Sequence, residues 1–163
     1  MVKIRTATIA DLKDIAEIYN YAILNTVATF DTELKTLDDM KAWFKNHHNK
    51  YPIIVAEKDG EIVGWASLSE YSTKCAYSKT VELSLYVKEE WQKKGIGKQL
   101  MKRIIEEGKK ANLHVILARI TDGNKVSVHL HESFGFEHVG ILKEVGYKFD
   151  RCLDVYLMQK ILE

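Results

Sequence analysis

The chain has 163 residues, 46% of them apolar and 29% charged, the balance of one ordinary globular domain long enough to bury a sizeable core. With 24 Lys and Arg against 23 Asp and Glu the formal charge is +1, so nothing in the overall charge calls for a nucleic acid or an anionic membrane as partner. No apolar run approaches a membrane span, the opening MVKIRTATIADLKDI lacks the apolar core of a signal peptide, and Cys75 and Cys152 form no CxxC pair. A reducing cytosol is the simplest setting, with a disulfide between the two cysteines left open.

No linker, low-complexity stretch or internal repeat interrupts the chain. VKIRTA alternates as a strand. Leu12, Ile15, Ile18, Tyr19, Ala22 and Ile23 then recur at helical spacing, entered through Thr8 and Asp11, which resemble a capping box. A second helix starts at Thr36 and buries Met40, Trp43 and Phe44; His47 and His48 fall in a polar stretch after it and read as solvated. IIVAE and IVGWASL, past Pro52, flank Asp59-Gly60, a strong hairpin signal. A Ser-, Thr-, Lys- and Tyr-rich loop leads to the strand VELSLYV. An amphipathic helix carrying Ile96, Leu100, Ile104 and Ile105 follows, then the apolar strand VILARI. Residues 124–134 read as a short helix closed by Gly135, and HVGIL and CLDVYLMQ as two last strands. This order is that of a mixed α/β domain rather than a regular βαβ repeat.

The chief chemical signal is Gln92-Lys93-Lys94-Gly95-Ile96-Gly97 between a strand and a helix. Glycines let the backbone turn and approach a ligand. The free N–H groups and dipole of a helix start favour an anion, and Lys93, Lys94 and Lys98 add charge suited to a pyrophosphate. By itself a GxG is served equally by a tight turn with solvated lysines. A dinucleotide fingerprint would need glycine at Leu100, and a P-loop would need glycine at Gln92 and Ser or Thr at Gln99.

QKKGIG after VELSLYV, followed by NKVSVHLHESFGF, resembles the GNAT superfamily of acetyl-CoA-dependent N-acetyltransferases. The segments IAEIYN, ATFDTE, YPIIVAEKDGEIVGWASL, LHVILARI and VGYKFDRCLDVYLMQ narrow the resemblance to the phosphinothricin and methionine sulfoximine N-acetyltransferases, over nearly the whole chain. The resemblance implies a GNAT-like mixed α+β domain, with a central, mostly antiparallel sheet split between two parallel strands and flanked by helices. It implies that acetyl-CoA is the co-substrate, with no metal, that the acceptor is a small-molecule amine, and that the protein is a homodimer. On this pattern Leu85, Tyr86 and Val87 offer backbone groups to the pantetheine arm; Lys93, Lys94, Gly95, Ile96, Gly97 and Lys98 bind the pyrophosphate; and Asn124 and Ser127 contact the cofactor. Gln92 stands where the superfamily commonly has Arg.

An amine attacks a thioester only when unprotonated, so such an enzyme needs a proton acceptor and donors for the developing oxyanion. Glu82 is the candidate base: a carboxylate in an apolar strand must be paired or used, and the match at TVE favours use. His131, seven residues after Asn124, is placed by the resemblance where a general acid stands, to protonate the thiolate or relay a proton; the alternative is a helix-surface histidine. His129 faces elsewhere, and no cluster has metal spacing. Phe30, Lys74, Cys75, Ala76, Tyr77 and Thr80 are the candidate acceptor contacts, with Trp43 and Tyr71 as further aromatic candidates. Lys74 replaces the family's arginine and keeps its charge without the bidentate fork. The competing readings are another GNAT acceptor, such as a protein N-terminus or polyamine, and a non-catalytic acyl-CoA-binding module.

Overall fold

A computed structural model describes residues 1–47 and 50–163. Strand β1 (Lys3–Thr6) runs into a 3₁₀ turn at Ile9–Asp11 and then α1 (Leu12–Asn25). The Thr8–Asp11 box therefore opens the 3₁₀ turn rather than α1 itself: Thr8 N–H donates to Asp11 Oδ2 at 2.7 Å. Arg5 grips both oxygens of the buried Asp11 at 2.8 and 2.9 Å, which holds that carboxyl below the usual carboxylate range. Helix α2 (Leu37–His47) starts on a reciprocal pair, Thr36 N–H to Asp39 Oδ2 at 2.8 Å and Asp39 N–H to Thr36 Oγ1 at 3.1 Å.

The strands β2 (Ile53–Lys58) and β3 (Glu61–Glu70) meet at Asp59 and Gly60, whose φ of 51° and 83° make the turn that matches strand twist. Then come β4 (Thr80–Val87), α3 (Ile96–Lys110), β5 (Val115–Thr121), α4 (Lys125–Ser133), β6 (Glu137–Lys148) and β7 (Arg151–Ile161). The last two strands run well beyond HVGIL and CLDVYLMQ. A bulge between Leu142 and Gly146, with Glu144 at φ 55°, absorbs the extra residues.

The seven strands of the described residues join one sheet in the order β1-β2-β3-β4-β5-β7-β6, antiparallel except for β4 against β5. Alternation sorts the side chains. Ile53, Val55, Ile62 and Trp65 pack with Leu12, Ile15, Ile18 and Met40 on the α1–α2 face. Ile54, Ala56, Val63, Leu68, Val81 and Ile116 pack with Leu100, Met101 and Ile104 on the α3 face. Full burial of each large aliphatic contributes about 1.5–3 kcal/mol. One expectation fails here. His47 is not solvated: it is buried against Trp43, with ring nitrogens 2.7 Å from the Trp43 carbonyl and 2.9 Å from Ser69 Oγ. It closes α2 onto the sheet. His48 lies outside the described residues.

The β4–β5 pair is short. Pairing covers Thr80↔Val115, Val81↔Ile116 and Glu82↔Leu117. Beyond Glu82, β4 stays on β3 up to Val87↔Gly64, while β5 stays on β7 up to Thr121↔Val155. The strands part and leave a wedge in the sheet.

Candidate active site

The wedge exposes backbone. Lys88 N–H bonds to the Val63 carbonyl at 2.9 Å, and the Lys79 carbonyl accepts from His114 on the β5 side at 2.8 Å. Alternation along an extended strand then turns the N–H and C=O groups of Leu85 and Val87 into the gap, beyond the last β4–β5 pair, and those of Ser84 and Tyr86 towards β3. Gln92 Nε2 donates to the Val87 carbonyl at 3.1 Å. This neutral side chain braces the loop against the strand, in the place where a cationic one was the common pattern.

The glycine loop closes one end of the wedge. Gly95 caps α3 at φ 83°, a conformation that favours glycine, and Lys93 precedes it at φ 60°. The first α-helical bond is Gln99 N–H to the Gly95 carbonyl at 3.2 Å, so the N–H groups of residues 96–98 have no intrahelical acceptor. At the wedge's other side Asn124 caps α4, its Oδ1 accepting from Ser127 N–H at 3.2 Å. These parts line a cavity of about 510 Å³ that runs from Leu85, Tyr86 and Val87 past Gln92, Lys93 and Gly97 to Asn124, Ser127 and Leu130. That volume suits a small-molecule ligand. Unpaired strand groups at one end and helix-start N–H groups at the other fit an amide-bearing arm with an anionic end, as acetyl-CoA has.

A second cavity of about 510 Å³ lies on the other side of Ala28 and Tyr86, which border both. Phe30, Asp31, Glu82, Ser84, Arg119, Leu142 and Val145 are among its walls. Residues 26–31 separate the two cavities, and other elements pin them. Tyr86 donates to the Ala28 carbonyl at 3.2 Å, Thr121 to Val27 at 2.6 Å, and Lys148 to Thr26 and Thr29 at 2.7 and 2.8 Å. Tyr19 hydrogen-bonds Thr29 at 2.8 Å and donates to Asp31. Burial, reinforced by Asp31, raises the Tyr19 phenol, and burial lowers the Lys148 ammonium.

Glu82 is paired. Arg119 donates from Nε to Oε1 at 2.7 Å and from Nη2 to Oε2 at 2.5 Å, a bidentate fork across the point where β4 and β5 part. The Glu82 side chain is 24% exposed and that of Arg119 59%; the carboxylate raises the guanidinium further. His131 is buried and stands edge-on to Phe136 at 5.0 Å. Its Nδ1 lies 2.7 Å from the Ser127 carbonyl, an acceptor only, so Nδ1 carries the proton. Burial lowers its pKa, partly offset by that bond. The ring is thus a neutral imidazole lining the wedge with Leu83, Ser84, Leu85 and Arg119.

Leu85, Tyr86, Val87, Lys93, Gly97, Asn124 and Ser127 share the first cavity, although the Tyr86 backbone groups, expected to face a ligand, turn to β3 instead. Lys94, Gly95, Ile96 and Lys98 belong to the same loop and helix start but do not line the cavity, and Ile96 is buried in the core. Phe30 and Glu82 share the second cavity. Thr80 is half-buried at the closed end of the wedge, opposite Val115. Lys74, Cys75, Ala76 and Tyr77 are not brought there: all four are exposed on the loop between β3 and β4 and line none of these cavities. Trp43 packs beneath the sheet against Trp65, and Tyr71 stacks edge-on with Tyr77 at 5.3 Å. Sequence reasoning missed Arg119, Asp31 and Lys148. Arg119 left a signal, one charge in the apolar run VILARI on the side of the strand that Leu117 and Thr121 share. Asp31 and Lys148 left none.

A family model described as an acetyltransferase (GNAT) domain matches residues 4–157. An L-amino acid N-acyltransferase of Escherichia coli is 39% identical over 163 residues, 99% of this chain and 95% of that one. An L-methionine sulfoximine/L-methionine sulfone acetyltransferase of Pseudomonas aeruginosa is 40% identical, over 98% and 94% of the two chains. The solved phosphinothricin acetyltransferase of Sinorhizobium meliloti in complex with acetyl-CoA superposes with a TM-score of 0.95 at 34% identity, over 99% of this chain and 88% of that one.

Proposed function

The chain belongs to the GNAT acetyltransferase family, and from that premise we propose that it transfers the acetyl group of acetyl-CoA to the α-amine of a small amino-acid-like acceptor of the methionine sulfone, methionine sulfoximine or phosphinothricin type. The observation that carries this reading is the pair of cavities meeting at Ala28 and Tyr86, one walled by free backbone groups and the glycine loop, the other by a charged pair. Leu85 and Val87 hold the pantetheine arm through backbone groups, Tyr86 lines the cavity while its own backbone stays on β3, residues 93–98 hold the pyrophosphate, and Asn124 and Ser127 flank the arm. When bound, acetyl-CoA supplies an activated acyl carbon with a thiolate leaving group.

The chain's own residues manage the proton. The acceptor ammonium gives one proton to a Glu82 oxygen, its nitrogen bonds to the acyl carbon, the C–S bond breaks, and the second nitrogen proton passes by way of the His131 Nε2 to the departing thiolate sulfur as the amide forms. His131, neutral with its proton on Nδ1, serves as a relay rather than a resident acid. Phe30 and Asp31 border the acceptor.

The protein works in the cytosol as a homodimer. Its two cysteines are free and exposed, and no helix among the described residues is long and apolar enough to cross a membrane. The edge strand β6 presents Val139, Ile141, Leu142, Val145 and Tyr147 to solvent, and Leu142 and Val145 also wall the acceptor cavity. A second copy on that edge would cover the apolar face and close the cavity. Light scattering giving a monomer at micromolar concentration removes the dimer. The function is tested by following free thiol release from acetyl-CoA across amino acids, sulfones, sulfoximines, polyamines and short peptides. Turnover is expected with the sulfones and sulfoximines, and a preference for polyamines refutes the reading.

A further inference from the structure

The Glu82–Arg119 pair has an unusual setting for an ion pair. It does not brace a surface; it spans the open end of the last β4–β5 register pair and forms a wall of the acceptor cavity. Every described hydrogen bond of the Arg119 side chain goes to Glu82, leaving its Nη1 free. More than half of the arginine side chain is exposed, so the fork is held by Glu82 alone and can be handed to another carboxylate. Both Glu82 oxygens, in turn, are already engaged by guanidinium N–H groups. In this arrangement the candidate base is covered.

We propose that Arg119 is the receptor for the acceptor's α-carboxylate, and that the Glu82–Arg119 pair reads the zwitterion of a free amino acid. The inference rests on the reading of the chain as an acetyltransferase for amino-acid-like acceptors and names what that acceptor must carry. An α-amino acid bears a cation and an anion on adjacent atoms. Its carboxylate takes the guanidinium fork, its ammonium takes the Glu82 oxygens so uncovered, and four charges alternate with none left unpaired. The proton then moves from the ammonium nitrogen to a Glu82 oxygen, with no other reactant required. An amine without the carboxylate meets a different site. Its ammonium approaches a guanidinium of like charge and must strip Arg119 from Glu82 while offering it nothing. Amides and esters of the same amino acid, peptide N-termini and polyamines are rejected for this reason rather than for their size.

The test compares methionine sulfone with its primary amide, a pair that differs in the one group Arg119 would bind. In the wild type, kcat/KM for the acid should exceed that for the amide by about 10–100-fold, the worth of a charge-assisted bidentate contact. In Arg119→Ala the ratio should fall to within a few-fold. The acid should lose through KM, and the amide, which offers Arg119 no carboxylate, should lose far less than the acid does. Arg119→Lys, with charge but no fork, should fall between. The KM for acetyl-CoA in each variant serves as the control for an intact fold. A wild type indifferent to the amide, or an Arg119→Ala enzyme with the wild-type ratio, overturns the inference and leaves the acetyltransferase reading standing. A wild type that turns over no amino acid, sulfone or sulfoximine at all overturns both.

Discussion

Glu82→Gln separates chemistry from architecture, because the two effects differ in size. The amide keeps the shape of the side chain but cannot take a proton, so kcat should fall by about 10²–10⁴-fold, equivalent to about 3–5 kcal/mol of barrier. The structural loss is small by comparison. Gln turns an N–H₂ towards Arg119, the fork opens, and the guanidinium, 59% exposed, moves into water. An ion pair this open is worth about 0.2–1 kcal/mol, which in a chain of this length lowers Tm by up to about 4 °C. Acetyl-CoA affinity should be unchanged, since Glu82 lines the second cavity and not the first. The assay is thiol release at saturating acceptor, with thermal melting and calorimetric titration of acetyl-CoA on the same preparation. A folded Glu82→Gln enzyme with near-normal kcat would refute the assignment. In that event the neutral His131 imidazole would be the next group to test as the proton acceptor.

Gly95→Val forces a β-branched residue into φ 83°, at about 1–2 kcal/mol, whereas a Cβ on Gly97 would meet Leu130 at an ordinary 3.5 Å. Both variants should fold and lose acetyl-CoA binding, the first by bending the loop and the second by covering helix-start N–H groups; unchanged affinity by calorimetry removes the loop from the site. The Asp11 carboxyl is held low by Arg5, so its stabilisation is complete above about pH 4, the unfolded value, and is lost as pH falls through the lower folded value. Melting curves of Asp11→Asn should therefore lie below wild type at pH 7 and approach it in acid, and a constant gap across pH would contradict this. Lys148→Met leaves the Thr26 and Thr29 carbonyls short of a donor, roughly 1–3 kcal/mol for each, offset by no longer burying an ammonium. Hydrogen exchange at residues 26–31 should quicken, and an unchanged pattern there would show that the lysine does not hold the segment.

Where one local rule decided the outcome, the sequence was enough. Asp59-Gly60 set its hairpin through two positive φ values, and QKKGIG placed a turn and a helix start where the backbone needed both. The α3 stripe of Ile96, Leu100, Ile104 and Ile105 reached the core through its period. What was not legible came from contacts across long stretches of chain. Glu82 and Arg119 are 37 residues apart; nothing local says that two strands with α3 between them lie side by side and then part. Lys148 finds its acceptors more than a hundred residues away, at Thr26 and Thr29, so its burial is invisible in the run VGYKFD. His47 reads as polar loop because its neighbours are polar, yet Trp43 one helical turn back and Ser69 on β3 give both ring nitrogens partners. The acceptor candidates at residues 74–77 rested on the family pattern alone, and in the folded chain that loop faces solvent.

The three register pairs between β4 and β5 are a seam. They stitch a half-sheet of β1 to β4 to a second of β5 to β7, helped by α3 lying across the back. Neither half depends on the other for its own ladder, so opening at the seam is the cheapest way for the sheet to breathe. A ligand arm that hydrogen-bonds into the wedge acts as a splice. At a hundredfold excess over its dissociation constant it should add about 2.7 kcal/mol by mass action alone, raising Tm by about 5–10 °C. The same binding should slow exchange of the Leu85 and Val87 amides more than that of the Ser84 and Tyr86 amides, which already face β3. A fold that leaves its central ladder unfinished thus makes its own cohesion depend on the molecule it uses.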